Sequence, residues 1–165
     1  MLVDFIRECK QETPVYIGWG SMVSGDPAKM SELAIRALFQ VGRRGVVVGG
    51  WANLSPSLLP QDMPDTKELM EFASKKIIFV KEAPHEWLFR RCAVIVHHGG
   101  AGTTAAALRS GVPSIVTPCF ADQPELAAKT KALGVGIALK QFRTITPKKL
   151  QARTGASLSA FECPR

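Results

Sequence analysis

Apolar residues gather in short unbroken runs at 15–18, 46–48, 77–80, 93–96, 114–117 and 136–139, with longer amphipathic segments between them. Runs that stay apolar instead of alternating predict strands covered on both faces, the habit of a parallel sheet. Between the first two runs Asp26 is placed to cap a helix with Pro27 at its first position. Leu33, Ala34, Ala37, Leu38 and Val41 then form one apolar stripe that stops at Gly42, completing a β-α-β unit.

The same alternation continues to about residue 150. Residues 51–65, with Pro56, Pro60 and Pro64, read as a loop before a short helix over 66–73. Further helices are predicted from Pro84, from Thr103 to Ser110 with Gly111 closing it, and from Pro124 to Leu133 with Gly134 closing it. Strand and helix alternating throughout predict an α/β fold, a Rossmann-like doubly wound parallel sheet. The expected organisation is an N-terminal segment over 1–12, one domain over 13–150, and a tail over 151–165 that loses periodicity and reads as disordered or loosely attached.

Composition narrows the class. At 165 residues and 46% hydrophobic, the chain can bury roughly two thirds of its unfolded surface in one core. No apolar run is long enough for a membrane span, and charges among the first ten residues argue against a secretory signal, so a cytoplasmic protein is expected. Cys9, Cys92, Cys119 and Cys163 are widely spaced, which suits free thiols. His85, Cys92, His97 and His98 match no zinc-ligand spacing, and no metal is expected.

The formal charge of +7 favours an anionic partner: a nucleotide diphosphate, an acidic membrane surface or nucleic acid. Lys140, Arg143, Lys148, Lys149 and Arg153 lie in a stretch without acids. Such a stretch is more often a solvated face than a contact for lipid head groups. No basic stripe interleaved with aromatics is present, which argues against nucleic acid.

The candidate chemistry centres on the segment from Ala93 to Leu108, where a strand passes through a glycine-rich turn into a helix. Gly99, Gly100 and Gly102 let backbone amides approach an anion, and the positive end of the following helix points at the same place. Ala101 lies in that turn, Thr103 and Thr104 add hydroxyls, and His98 can donate a ring N–H to a phosphate. His97 lies on the alternate side of the strand and reads as a hydrogen-bonded support. Asp122 and Gln123 follow the next strand at the carboxyl edge, where their acceptors and donor suit vicinal sugar hydroxyls; Asp122 is equally placed to cap a helix. Ser21 is either a phosphate contact or a turn residue. Trp51 either stacks on a base or covers the core, the packing role being the commoner.

In order, 15-VYIGWGSM-22, Gly50-Trp51, 83-APHEWLF-89, 96-VHHGGAGTT-104, 109-RSGVP-113 and 120-FADQ-123 resemble the UDP-glycosyltransferases of GT-B fold, above all the sterol glucosyltransferases. The resemblance covers about residues 13–150 and implies a single GT-B carboxyl-terminal half. It places the donor diphosphate at Ser21, His98 and Gly99 to Thr104, and the uracil and ribose wall at Trp51, Val80, Ala83 and His85. Asp122 and Gln123 would hold the sugar. It also implies a UDP-sugar, commonly UDP-glucose, bound without a metal or cofactor. The acceptor, a lipid or sterol hydroxyl, and the catalytic base would belong to an amino-terminal domain, so no catalytic residue is expected in this chain; transfer would proceed with inversion. Peripheral membrane contact would follow from such an acceptor. A noncatalytic UDP-sugar-binding module, or a subunit needing a separate acceptor-domain protein, is the alternative. The departures are Cys119 and Ala121, where family members often carry phenylalanine and glycine, and Pro124-Glu125-Leu126, where aromatics often follow.

Overall fold

A computed structural model of the chain describes residues 1–9, 12–21 and 25–162. Helix α1 (Leu2–Glu8) is followed by β1 (Val15–Gly18), α2 (Pro27–Val41), β2 (Gly45–Val48), α3 (Thr66–Lys76), β3 (Ile77–Val80) and α4 (His85–Leu88). Then come β4 (Val94–His97), α5 (Ala101–Ser110), β5 (Ser114–Val116), α6 (Gln123–Ala132), β6 (Gly136–Ala138) and α7 (Pro147–Glu162). The six strands are all parallel in the order β3-β2-β1-β4-β5-β6. This is the doubly wound Rossmann-like order, reversing direction between β1 and β4.

Strand alternation sorts the core into two layers. Val15, Ile17, Val47, Val94 and Val96 face one side, with Leu33, Leu38, Leu69 and Leu150 from α2, α3 and α7. Tyr16, Val46, Val48 and Ile95 face the other, with Leu88, Phe89, Ala106 and Ala107. Helix α2 begins as its residues dictate: Asp26 accepts a hydrogen bond from the Ala28 amide at 2.9 Å, Pro27 needs no partner, and Gly42 closes the helix in the left-handed conformation. Arg36 on α2 pairs with Glu32 at 2.7 Å and with both carboxylate oxygens of Asp65, fixing the end of the 51–65 loop.

Of the tail expected to be disordered over 151–165, residues 151–162 are helical instead, and 163–165 lie outside the described residues. Residues 147–162 form α7, which packs along α2 with Leu150, Thr154, Ser157 and Leu158 buried. Those positions fall on one helical face, and burying the two leucines contributes about 1.5–3 kcal/mol each. Cys163 lies outside the described residues. The N-terminal segment is tied down as well: α1 sets Leu2, Phe5 and Ile6 against the second layer, and Arg44 sits 4.4 Å over the Phe5 ring.

Candidate functional site

In a parallel sheet every strand ends at the same edge, so the loops after β1, β2, β3, β4 and β5 converge there. The β4 loop is the most constrained. Helix α5 starts at Ala101, two residues before the expected Thr103, and its cap residue is Gly100, which has no side chain to accept from the first amides. The first bond of the helix runs from the Thr104 amide to the Gly100 carbonyl at 2.8 Å. The amides of Ala101, Gly102 and Thr103 therefore precede any intrahelical partner and carry the positive end of the helix dipole.

His98 packs against this start from the sheet side and is only 8% exposed. A Cβ on Gly100 would stand 2.5 Å from its Nε2, and one on Gly20, from the β1 loop, 3.0 Å from its Cε1. Two backbones thus pinch the imidazole; a side chain at Gly100 would have to displace it, and Gly20 also sits at φ 61°, which favours glycine. Its Nδ1 is buried without a partner among the described residues, and its Nε2 lies towards the start of α5. Burial lowers the pKa of His98; the neighbouring His85 adds to this, and Asp122 opposes it.

His97 does what its side of the strand predicts. Its Nδ1 accepts from the Gly99 amide at 3.1 Å, leaving Gly99 at φ 91°, a conformation that glycine adopts readily. Its carbonyl accepts from both the amide and the hydroxyl of Thr117, at 2.8 and 3.1 Å. Burial pushes its pKa down to about 3, so the ring stays neutral. Thr117 was not singled out from sequence, nor was Trp19, whose Nε1 donates to the Thr117 hydroxyl at 2.9 Å. Together they staple the ends of β1, β4 and β5; the Gly-Trp-Gly run after β1 was the available signal.

The remaining candidates divide. Thr104 is buried with its hydroxyl unpaired, Thr103 is half-buried, and Ser21 is exposed on the β1 loop. Trp51 does not cover the core: it is 77% exposed, with Gly50 turning the chain at φ 52° and the Trp51 amide donating to the Gly20 carbonyl. Val80 and Ala83 are half-buried. His85 is turned inward, its Nε2 3.2 Å from the Tyr16 hydroxyl and its ring stacked on Phe89 at 4.6 Å.

Asp122 stands at the cap position of α6 without making the side-chain cap bond, so its exposed carboxylate is not consumed by the helix. Gln123 is buried, and its Oε1 accepts from the amides of Cys119 and Phe120 at 2.8 and 3.2 Å. That oxygen braces the loop in which Ala121 adopts φ 56° and Phe120 is 59% exposed. Among the described residues no three His, Cys, Asp or Glu side chains gather as a metal-holding group.

The sequence profile of the erythromycin biosynthesis protein CIII-like carboxyl-terminal domain matches residues 61–158. The chain belongs to this family. The chain is 38% identical over 143 residues to the sterol 3-beta-glucosyltransferase of Neurospora crassa, covering 86% of the chain and 9% of that protein. It is 38% identical over 125 residues to the corresponding enzyme of Arabidopsis thaliana, covering 76% of the chain and 18% of that protein. With the Kluyveromyces lactis enzyme it shares 41% over 136 residues, covering 82% and 11%. The chain therefore spans less than a fifth of the length of each of these relatives.

Among solved structures, Os79 from O. sativa in complex with U2F and trichothecene superposes with a TM-score of 0.75 at 18% identity, covering 97% of the CIII-like chain and 37% of Os79. The glycotransferase of kitacinnamycin gives 0.63 at 22% identity, covering 92% and 38%. The fold is that of one half of a GT-B glycosyltransferase.

Proposed function

We propose that this chain is the donor-binding half of a glycosyltransferase that moves a hexose, glucose in the first instance, from a UDP-sugar to a lipid or sterol hydroxyl with inversion. One observation carries the reading: α5 begins with uncapped amides, and the imidazole of His98 is pinched beside them. The diphosphate is held by the amides of Ala101, Gly102 and Thr103 and by His98 Nε2, without a metal. As the glycosidic bond to the anomeric carbon breaks, negative charge grows on the departing UDP, and these donors stabilise it where it develops. Asp122, its carboxylate uncommitted, accepts from the sugar hydroxyls. Trp51, exposed beside Gly20, offers a face to the base. A general base in an acceptor domain deprotonates the attacking hydroxyl.

The sterol glucosyltransferase relatives support the acceptor class, and the uncapped helix supports the diphosphate. Titration calorimetry of the 165-residue chain with UDP, UDP-glucose and UDP-galactose, with and without EDTA, tests the donor. Binding that survives EDTA and prefers the glucose donor is expected. A folded sample without affinity for UDP at millimolar concentration defeats the reading. The alternative, a nucleotide-sugar module serving a separate acceptor-domain protein, separates by activity: it transfers sugar only when that second protein is added.

A further inference from the structure

The formal charge is not spread over the molecule. Seven of the 21 basic residues and none of the 14 acidic ones fall between 126 and 161, so this stretch carries the whole +7 and the rest of the chain is neutral. Folding gathers its middle part at one place. Strand β6 ends at Ala138, and the next residues are held to the carboxyl edge by hydrogen bonds from the Leu139 amide to Val116 and from the Phe142 amide to Pro118, both at 2.8 Å. The chain then enters α7. Between this turn and the first turns of α7 lies a cavity of about 410 Å³, floored by Leu139, Ile145 and Ala152 and ringed by the exposed cations Lys140, Lys149 and Arg153.

The fold gives no return on these charges. Among the described residues none of the three pairs with an acid; the Lys149 ammonium reaches only the Thr144 carbonyl, at 3.4 Å. Lys148 and Lys149 occupy the first turn of α7, which holds no acidic residue. Cations there oppose the helix dipole and cost stability. Three cations around an apolar floor match a phosphodiester attached to hydrocarbon. A nucleic acid would want exposed aromatics for its bases, whereas the aromatic of this turn, Phe142, is buried against Trp19 with ring centroids 5.0 Å apart.

We propose that this face docks on an anionic phospholipid surface, with head-group phosphates at Lys140, Lys149 and Arg153 and proximal methylenes over Leu139 and Ile145. It lies on the same edge of the sheet as the candidate donor site. The proposal is independent of the donor reading, because none of these residues touches His98 or the α5 start.

The test is sedimentation of the full chain with vesicles of phosphatidylcholine alone or with a third of the lipid replaced by phosphatidylserine. Binding only to the anionic vesicles, weakening as salt rises, is expected. A Lys140→Gln/Lys149→Gln/Arg153→Gln variant loses on the order of 100-fold in partition, has a thermal midpoint no lower than that of the unchanged chain and binds UDP unchanged. A control with Lys67, Lys75 and Lys81 changed to Gln has the same net charge and loses little. Equal loss in the control, equal binding to neutral vesicles, no binding at low salt, or displacement of the vesicles by DNA at equal phosphate would each overturn the proposal.

Discussion

Helices α2 and α5 both start at the carboxyl edge, after the adjacent strands β1 and β4, and they start in opposite ways. At α2 the Asp26 carboxylate takes the Ala28 amide and Pro27 removes a donor, so the end is closed by the chain itself. At α5 a glycine stands in the cap position, and what lies alongside is the His98 imidazole. One end spends its positive potential on its own stability and the other leaves it open. The difference comes down to one residue in each cap and to what packs beside it.

Closing the open end should have the largest effect. Gly100→Asp supplies the carboxylate that α2 has, and its Cβ drives His98 aside; UDP affinity by calorimetry is expected to fall by more than about 100-fold, the combined loss of several charge-assisted bonds. Retained affinity would show that the amides of α5 are not the anion site. His98→Ala removes one donor and leaves the end open, for a loss of roughly 10- to 100-fold.

Acid tests the buried imidazoles. Burial holds His85, His97 and His98 below the ordinary value of 6.5, His97 at about 3. Below pH 6.5 the unfolded chain binds more protons than the folded one. Stability is therefore complete above 6.5 and is lost as pH falls from there, by up to about 1.4 kcal/mol per pH unit for His97 down to about 3, with His85 and His98 adding a loss of the same sign just below 6.5. Urea midpoints across that range read the slope, and a flat profile contradicts it.

Opening the closed end is a smaller change: Asp26→Ala costs about 1 kcal/mol of stability and leaves UDP affinity unaltered. The smallest effect is at Ala121, held at φ 56° in the β5 loop. Ala121→Gly relieves a left-handed alanine but frees the unfolded chain, for a net gain of about 0.5 kcal/mol in thermal denaturation.

The contrast also separates what could be read from residue order. Asp26, Pro27 and Gly42 act within a turn of where they stand, so local rules located α2 at both ends. The glycine-rich turn after β4 was legible for the same reason, as was the supporting place of His97. The pinching of His98 was not, because Gly20 lies 78 positions away and contact follows only from pairing β1 with β4. The Trp19–Thr117–His97 staple escaped likewise. Helix α7 was missed for another cause: its buried face has Thr154 and Ser157 among the leucines, and Gly155 interrupts the propensity. Thr154 satisfies its hydroxyl on the Leu150 carbonyl at 2.9 Å, so a polar residue passes as core once the helix exists.

The inward hydrogen bond of the Gly99 amide bears on kinetics. With that peptide fixed by His97, and His97 fixed by Thr117, the seat is assembled before any occupant arrives. Little freedom is surrendered on filling, so capture should proceed at the pace of encounter, and differences among nucleotides should show in how long each one stays.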